Sequence, residues 1–142
     1  LSFTSPIQVL QLVSAIATDG RVMEPKLVQS NRDQQGKPHA KLSVEPNTFR
    51  VLRQGMLQAV SSERGTAQLA QVDFGKLAAK TGTAQAPPGD PHAWFGGFYP
   101  FEEPKIGIVL FVERGVSGGM IASKLAKQVV TEWNRLYAAT PV

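Results

Sequence analysis

The tetrapeptide Lys80-Thr81-Gly82-Thr83 brings a cation, two hydroxyls and a glycine together within four residues. The segment is predicted to be a β-strand, whose alternation directs Lys80 and Gly82 to one face and Thr81 and Thr83 to the other. Because Gly82 carries no side chain, another backbone can approach the strand there. The pattern predicts a strand edge that binds a ligand. The alternative interpretation is an edge strand whose lysine protects it from aggregation.

Other candidate groups in the sequence are weaker. No Gly-x-x-x-x-Gly-Lys-Ser/Thr segment occurs, so a phosphate-binding P-loop is excluded. His92 opens a predicted strand and His39 lies in a polar loop, and both are expected to be structural rather than catalytic. Glu102 and Glu103 are neighbours in a predicted turn and are expected to form a solvated tip.

Length and composition bound the class of protein. The 142 residues suffice for one domain with its own core, and 42% hydrophobic and 18% charged residues are typical of a globular protein. The absence of cysteine excludes disulfides and thiolate chemistry, and we expect no metal or other cofactor. A net charge of +4 without clustered basic residues argues against nucleic-acid binding. No apolar run reaches the roughly 18 residues of a membrane span.

Three helices are predicted from apolar residues at helical spacing. The first follows a cap at Thr4 or Ser5, has Pro6 in its first turn and ends at Gly20. The second begins at Pro46. Its apolar face is expected to comprise Phe49, Leu52, Met56 and Val60. The third follows a glycine-rich turn, and its apolar face is expected to comprise Ala122, Leu125, Ala126, Val129, Trp133 and Leu136.

The strands are predicted to form two antiparallel groups. A short hairpin is expected to pair Lys26–Gln29 with Lys41–Val44. Three longer strands are predicted at Lys76–Ala84, His92–Tyr99 and Lys105–Glu113. Ile106–Val112 is apolar at nearly every position, which predicts a central strand covered on both faces, and Trp94 and Phe95 are expected to pack the sheet. Helices packed on an antiparallel sheet make an α+β fold.

Several segments occur in an order that is specific when they are taken together. The strand motif Lys80-Thr81-Gly82-Thr83-Ala84-Gln85 is followed by HAWFGGFYP at His92–Pro100, by Val112-Glu113 and by Gly118-Gly119. Upstream of these lie Thr4–Gln8, Asp19-Gly20 and Gly65-Thr66-Ala67. This sequence resembles the transpeptidase domain of class B penicillin-binding proteins, in the penicillin-binding and β-lactamase-like superfamily. The resemblance covers essentially the whole chain.

The resemblance implies a peptidoglycan D,D-transpeptidase, whose site combines Ser-x-x-Lys, Ser-x-Asn and Lys-Thr-Gly motifs around an acylated serine. None of the nine serines here is followed by lysine three residues on or by asparagine two residues on. Only the third motif is therefore present. Residues 1–142 are expected to form the C-terminal portion of a single transpeptidase domain, with the nucleophile upstream and the fragment inactive alone.

The resemblance also implies a role for each residue of the strand motif. The backbone N–H of Thr83 is expected to donate to the oxyanion that forms when serine attacks D-Ala-D-Ala. Lys80 is expected to place a positive charge near the terminal carboxylate, and the Thr81 and Thr83 hydroxyls to donate to that carboxylate. Gly82 is expected to let the substrate, or a β-lactam, lie against the strand. Lys80 and Thr83 are thus the predicted catalytic residues, and Thr81, Gly82 and Thr83 the predicted substrate-binding residues.

Two alternatives remain open at the level of sequence. A serine β-lactamase or β-lactam sensor domain of the same fold differs from a transpeptidase in its deacylation rate. A non-catalytic binding or assembly module differs from both in lacking an upstream Ser-x-x-Lys.

The resemblance finally implies a setting and partners. It places the protein on the outer face of the bacterial cytoplasmic membrane, with an anchor helix upstream and a membrane glycosyltransferase as partner of the full protein. Two upstream strands are expected to complete the sheet beside Ile106–Val112. The isolated chain is therefore expected to self-associate or to need the upstream part of its own domain.

Overall fold

The computed structural model describes residues 4–27 and 38–137, and its elements form the predicted α+β fold. The α-helices are α1 at Pro6–Ala17, α2 at Pro46–Ser61 and α3 at Ser123–Tyr137. The strands are β1 at Arg21–Met23, β2 at Pro38–Lys41, β3 at Ala78–Ala84, β4 at His92–Tyr99 and β5 at Ile106–Val112. A 3₁₀ turn at Gln68–Ala70 precedes β3, and a π-helical turn at Gly118–Ala122 precedes α3.

Both ends of α1 follow from its sequence as predicted. Ser5 and Gln8 form a capping box, in which the Gln8 N–H donates to Ser5 Oγ at 3.4 Å and the Ser5 N–H donates to Gln8 Oε1 at 2.8 Å. Pro6 occupies the first turn, where its missing N–H costs no helical hydrogen bond. Gly20 closes the helix at φ = +93°, a conformation that favours glycine, and its N–H donates to the Ala15 carbonyl at 2.7 Å.

The predicted hairpin exists, but its predicted position is wrong. β1 pairs antiparallel with β2, and Arg21 lies opposite Lys41. The Leu42 N–H donates to the Gly20 carbonyl at 2.8 Å, so pairing begins directly at the glycine that ends α1. In the predicted strand Lys26–Gln29, residues 26 and 27 lie outside any strand, and residues 28 and 29 lie outside the described residues. Of the second predicted strand, only Lys41 is paired.

The larger sheet is antiparallel in the order β3-β4-β5, which makes β4 its central strand. Within the described residues Ile106–Val112 lies at an edge of this sheet, and its prediction as a central strand depends on the upstream strands that are expected beside it. Its apolar pattern arises because both faces are covered: Leu10 and Ser14 of α1 lie against Gly107, and Ile108 is buried on the opposite face. Side-chain pattern reports what covers the faces of a strand, not which strands lie beside it. Among the described residues, β5 pairs with β4 alone.

Two apolar clusters lie on the two faces of this sheet. On one face, Ala78 and Phe98 pack with Val13 of α1 and Met56 of α2. On the other face, the core comprises Ala79, Phe95, Tyr99 and Ile108 of the sheet with Ala122, Ala126 and Val130. As predicted, Trp94 and Phe95 of β4 pack the sheet: Phe95 is fully buried, and the Trp94 ring lies 4.7 Å from the Phe111 ring.

The predicted apolar face of α3 is only partly correct. Ala122 and Ala126 are buried as expected, and Trp133 packs against the core. Leu125, Val129 and Leu136 are instead exposed, and Val130 is the buried residue one position further on. Small residues at positions 122 and 126 let the helix approach the sheet closely along the 122-126-130 line, which turns the flanking larger side chains outward.

Candidate active site

Strand β3 presents the Lys80-Thr81-Gly82-Thr83 segment at an edge of the sheet. Along β3, Lys80 lies opposite Gly96 and Gly82 lies opposite Trp94 of β4. No other strand pairs with β3 among residues 4–27 and 38–137. An unpaired strand edge offers backbone N–H and C=O groups to which an extended ligand can pair.

A cavity of about 580 Å³ lies beside this strand, between α1, α2 and the sheet. Its walls include Leu12 of α1, Leu52 of α2, Trp94 of β4 and both Lys80 and Gly82 of β3. The volume is in the range of small-molecule sites. Lys80 is the one charged side chain among the described residues that line it, so the cavity combines apolar walls with a single cation.

The two hydroxyls of the motif have different surroundings. Thr81 is 8% exposed, and its Oγ1 donates to Thr66 Oγ1 at 2.8 Å. Thr83 is exposed, and within the part of the chain that the structure describes its hydroxyl makes no hydrogen bond. Lys80 is also exposed, and its Nζ donates to the Thr81 carbonyl. Thr83 thus has a hydroxyl available to a ligand, whereas the Thr81 hydroxyl is already engaged.

Gly82 is open on the cavity side and closely covered on the other. A Cβ added at Gly82 would meet only the Trp94 Cβ, at an ordinary 3.4 Å. Gly118 packs over the same strand pair, and a Cβ added there would lie 2.4 Å from the carbonyl oxygens of both Gly82 and Trp94. The turn carrying Gly118 therefore supports the strand, while Gly82 leaves its cavity side open.

The remaining sequence candidates lie outside this arrangement. The Arg114 N–H donates to His92 Nδ1 at 3.0 Å, and the imidazole packs edge-on against Phe111. This hydrogen bond holds the turn after β5, a structural role as expected. His39 is exposed on β2. No group of three or more His, Cys, Asp or Glu side chains suitable for a metal ion occurs in the described ranges.

The paired glutamates of the β4–β5 turn are solvated, as predicted. Lys76 Nζ contacts Glu102 Oε1 at 2.8 Å, and Lys105 Nζ contacts Glu103 Oε1 at 2.7 Å. These hydrogen bonds lower the pKa of both carboxyls below the usual range. Each carboxylate has its own lysine, so the two do not share a proton as a catalytic carboxylate pair does.

Tyr99, at the same end of β4, has its pKa raised by burial and then by the Glu102 charge.

Sequence reasoning missed two features of the site. The cavity depends on the packing of α1 and α2 against the sheet, which no local pattern reports. Thr66 enters the sequence argument only through the Gly65-Thr66-Ala67 segment, although its hydroxyl contacts the strand motif directly. Its glycine neighbour was the available signal: a Cβ on Gly65 would lie 2.3 Å from the Ala59 carbonyl oxygen, which marks a tight turn against α2.

Comparison with known proteins gives a consistent set of relatives. A family model for the penicillin binding protein transpeptidase domain matches residues 3–131. The peptidoglycan D,D-transpeptidase PbpA of Mycolicibacterium smegmatis is 30% identical, over 89% of this chain and 28% of that protein. PBP2 of Pseudomonas aeruginosa, solved in complex with WCK 5153, superposes with a TM-score of 0.77 at 33% identity, over 92% of this chain and 30% of that one.

A further solved structure, the complex between PBP2 and MreC from Helicobacter pylori, superposes with a TM-score of 0.75 at 32% identity. It covers 96% of this chain and 25% of that one. The chain thus spans less than a third of the length of each of these relatives. No helix among the described residues is long and apolar enough to cross a membrane.

Proposed function

Because the chain belongs to the penicillin binding protein transpeptidase domain family, we propose that residues 1–142 form the C-terminal part of one serine D,D-transpeptidase domain that cross-links peptidoglycan. The observation that carries the proposal is the place of Lys80. It is the one charged side chain among the described residues that line a mainly apolar cavity, and it lies on a strand edge that no other described strand pairs with. A substrate with a peptide backbone and a terminal carboxylate matches both features.

The serine nucleophile and its lysine base come, in this proposal, from sequence upstream of Leu1. The support is the sequence itself, since none of its serines has the Ser-x-x-Lys or Ser-x-Asn spacing. The upstream part of the domain is therefore the first partner of this chain. We further propose that it supplies the strands beside β5, whose outer edge has no partner among the described residues.

The strand motif then acts on the acyl transfer. The upstream serine gives its proton to the upstream lysine base as its oxygen bonds to the carbonyl carbon of the penultimate D-Ala. The C–N bond to the terminal D-Ala breaks when that proton passes to its nitrogen, and the terminal D-Ala leaves as a free amine. An edge strand directs every second N–H outward, and we assign the Thr83 N–H to the oxyanion of the tetrahedral intermediate. Lys80 supplies positive charge near the substrate carboxylate, and the free Thr83 hydroxyl donates to it. Gly82 lets the peptide lie against the strand.

The proposed setting follows from the same assignment. Peptidoglycan is cross-linked outside the cytoplasmic membrane, so the full protein would act on the outer face of that membrane with an upstream anchor. A membrane glycosyltransferase that makes the glycan strands is its proposed partner. The complex between the Helicobacter pylori relative and MreC shows that one member of the family binds a further protein.

A labelled penicillin distinguishes the proposed function from its alternatives. The full-length protein should form a stoichiometric adduct that persists for hours, whereas the 142-residue chain alone should form none, because its serines lack an activating lysine. Intact-mass measurement on both proteins reads out the adduct. Rapid turnover by the full-length protein would instead indicate a β-lactamase, and absence of any adduct would indicate a binding module. A stoichiometric adduct on the 142-residue chain would place the nucleophile within it and contradict the assignment.

Substitutions of Thr83 should distinguish the role of its backbone N–H from the role of its hydroxyl. In the full-length protein, Thr83→Ala should slow acylation by carboxylate-bearing β-lactams about tenfold, the worth of one hydrogen bond to a charged acceptor. Thr83→Ser keeps the hydroxyl and should stay within about twofold. Stopped-flow measurement of the second-order acylation rate constant tests both variants. A loss of about 10²–10³ with Thr83→Ala would mean that the oxyanion donor itself depends on the side chain.

A further inference from the structure

We propose that Thr66 is a positioning residue of this site, which directs the Thr81 hydroxyl proton toward the carboxylate of a bound substrate. The inference rests on the proposed function and adds to it a residue outside the Lys80–Thr83 strand. Thr66 would act entirely through Thr81, without touching the substrate.

The contact itself is a hydroxyl pair. Thr81 Oγ1 and Thr66 Oγ1 are 2.8 Å apart, and Thr81 is 8% exposed and borders the cavity that Lys80 lines. Each hydroxyl carries one proton and two acceptor lone pairs, and it rotates to suit its surroundings. A pair needs only one of its two protons for the bond between them. The other proton is available to a third group.

Thr66 is held firmly enough to act as a fixed partner. The turn that carries it packs on the end of α2, where the Gly65 N–H donates to the Ser62 carbonyl at 2.9 Å and the Ala67 N–H donates to the Ala59 carbonyl at 2.8 Å. Ala67 is fully buried. With its backbone fixed on both sides, Thr66 responds to a change at Thr81 by rotating its hydroxyl rather than by moving away.

The turn before α3 also closes on Thr66. A Cβ added at Gly119 would lie 2.7 Å from the Thr66 carbonyl oxygen, so these two backbones are in close contact. The adjacent Gly118 packs over the Gly82–Trp94 pair. Thr66 thus occupies the junction of α2, β3 and the turn before α3, where its hydroxyl has a defined distance to the strand motif.

These contacts define two states of the hydroxyl pair. In the first state Thr81 donates to Thr66, so its proton is unavailable to a ligand. When a carboxylate arrives, Thr81 donates to it, and Thr66 rotates to donate to Thr81 Oγ1. In both states the Thr81 and Thr66 hydroxyls stay hydrogen-bonded to each other, and no covalent bond changes. Without the Thr66 hydroxyl, Thr81 Oγ1 receives no hydrogen bond when the Thr81 hydroxyl rotates to donate to the carboxylate.

The test compares isosteric variants of the full-length protein. Thr66→Val removes the hydroxyl and keeps the shape, and it should lower the second-order rate constant of acylation by benzylpenicillin about three- to tenfold, the worth of one hydrogen bond. Thr66→Ser restores the hydroxyl and should restore the rate to within about twofold. Because Thr66 is exposed, both variants should fold, which thermal unfolding checks. If Thr66→Val does not fold, Thr66→Ala serves in its place.

A second substrate separates positioning from a merely structural role. Benzylpenicillin methyl ester lacks the carboxylate, so Thr66→Val should not slow its acylation beyond about twofold relative to wild type. An equal loss with the acid and the ester would show that Thr66 only supports the fold, and no loss with the acid would also overturn the inference. A wild-type protein that is not acylated at all would overturn the proposed function and this inference together.

Discussion

Replacement of Lys80 by alanine in the full-length protein is expected to slow acylation by penicillin by about 10²–10³-fold. Lys80 is the one charged side chain among the described residues that line the cavity, and apolar walls strengthen its interaction with an anionic ligand. Since the side chain is exposed, its removal leaves no buried partner unpaired. The acylation rate should therefore fall while the thermal unfolding midpoint stays close to that of wild type.

Lys76 offers a matched control four residues upstream. It lies outside the cavity lining and pairs with Glu102 at 2.8 Å, and both side chains are largely exposed. Exposed pairs of this kind contribute at most about 1 kcal/mol to stability, so Lys76→Ala should leave the acylation rate within about twofold. Equal effects of the two substitutions would mean that Lys80 acts only through general surface charge. An acylation rate for Lys80→Ala within a few-fold of wild type would remove Lys80 from the site.

The sequence was most informative where local chemistry decides the structure. The cap of α1, predicted at Thr4 or Ser5, lies at Ser5. The glycine that ends α1 and the bounds of β4 agree with the prediction as well. All three depend on neighbouring residues. The strand motif was also recognised locally, because its residue types and order are specific. In these cases a few adjacent side chains satisfy or terminate the backbone hydrogen bonds.

The sequence predictions failed where contacts between distant segments determine the structure. The apolar run Ile106–Val112 indicates that α1 and the core lie against its faces, but not which strands lie beside it. The hairpin is positioned by a hydrogen bond from the Leu42 N–H to the Gly20 carbonyl, and local patterns do not report the register between residues so far apart in sequence. The cavity beside Lys80 and the hydroxyl partner of Thr81 likewise come from residues more than ten positions away. Periodicity carries no information on such pairings.

Gly82→Val is expected to abolish acylation while the fold survives, with a loss of about 10²-fold or more, because a displacement of about 1 Å at the reacting groups costs that much. The valine side chain would project beside Lys80 into the cavity, where the proposed function places the substrate backbone. The strand itself tolerates the change: the new Cβ meets only the Trp94 Cβ at 3.4 Å, and valine favours β-strands. Gly82→Val should therefore lower the rate of acylation by labelled penicillin and leave the thermal unfolding midpoint close to that of wild type.

Gly118 provides a control for this prediction. A Cβ at Gly118 would lie 2.4 Å from two carbonyl oxygens of the strand pair, so Gly118→Ala should destabilise the protein by about 1–3 kcal/mol or more and lower the unfolding midpoint. Gly82→Ala, with a single methyl group, should lie between wild type and Gly82→Val in acylation rate and remain as stable as wild type. A folded Gly82→Val protein that is acylated at the wild-type rate would mean that the substrate does not lie against β3. The cavity beside Lys80 would then need a different occupant.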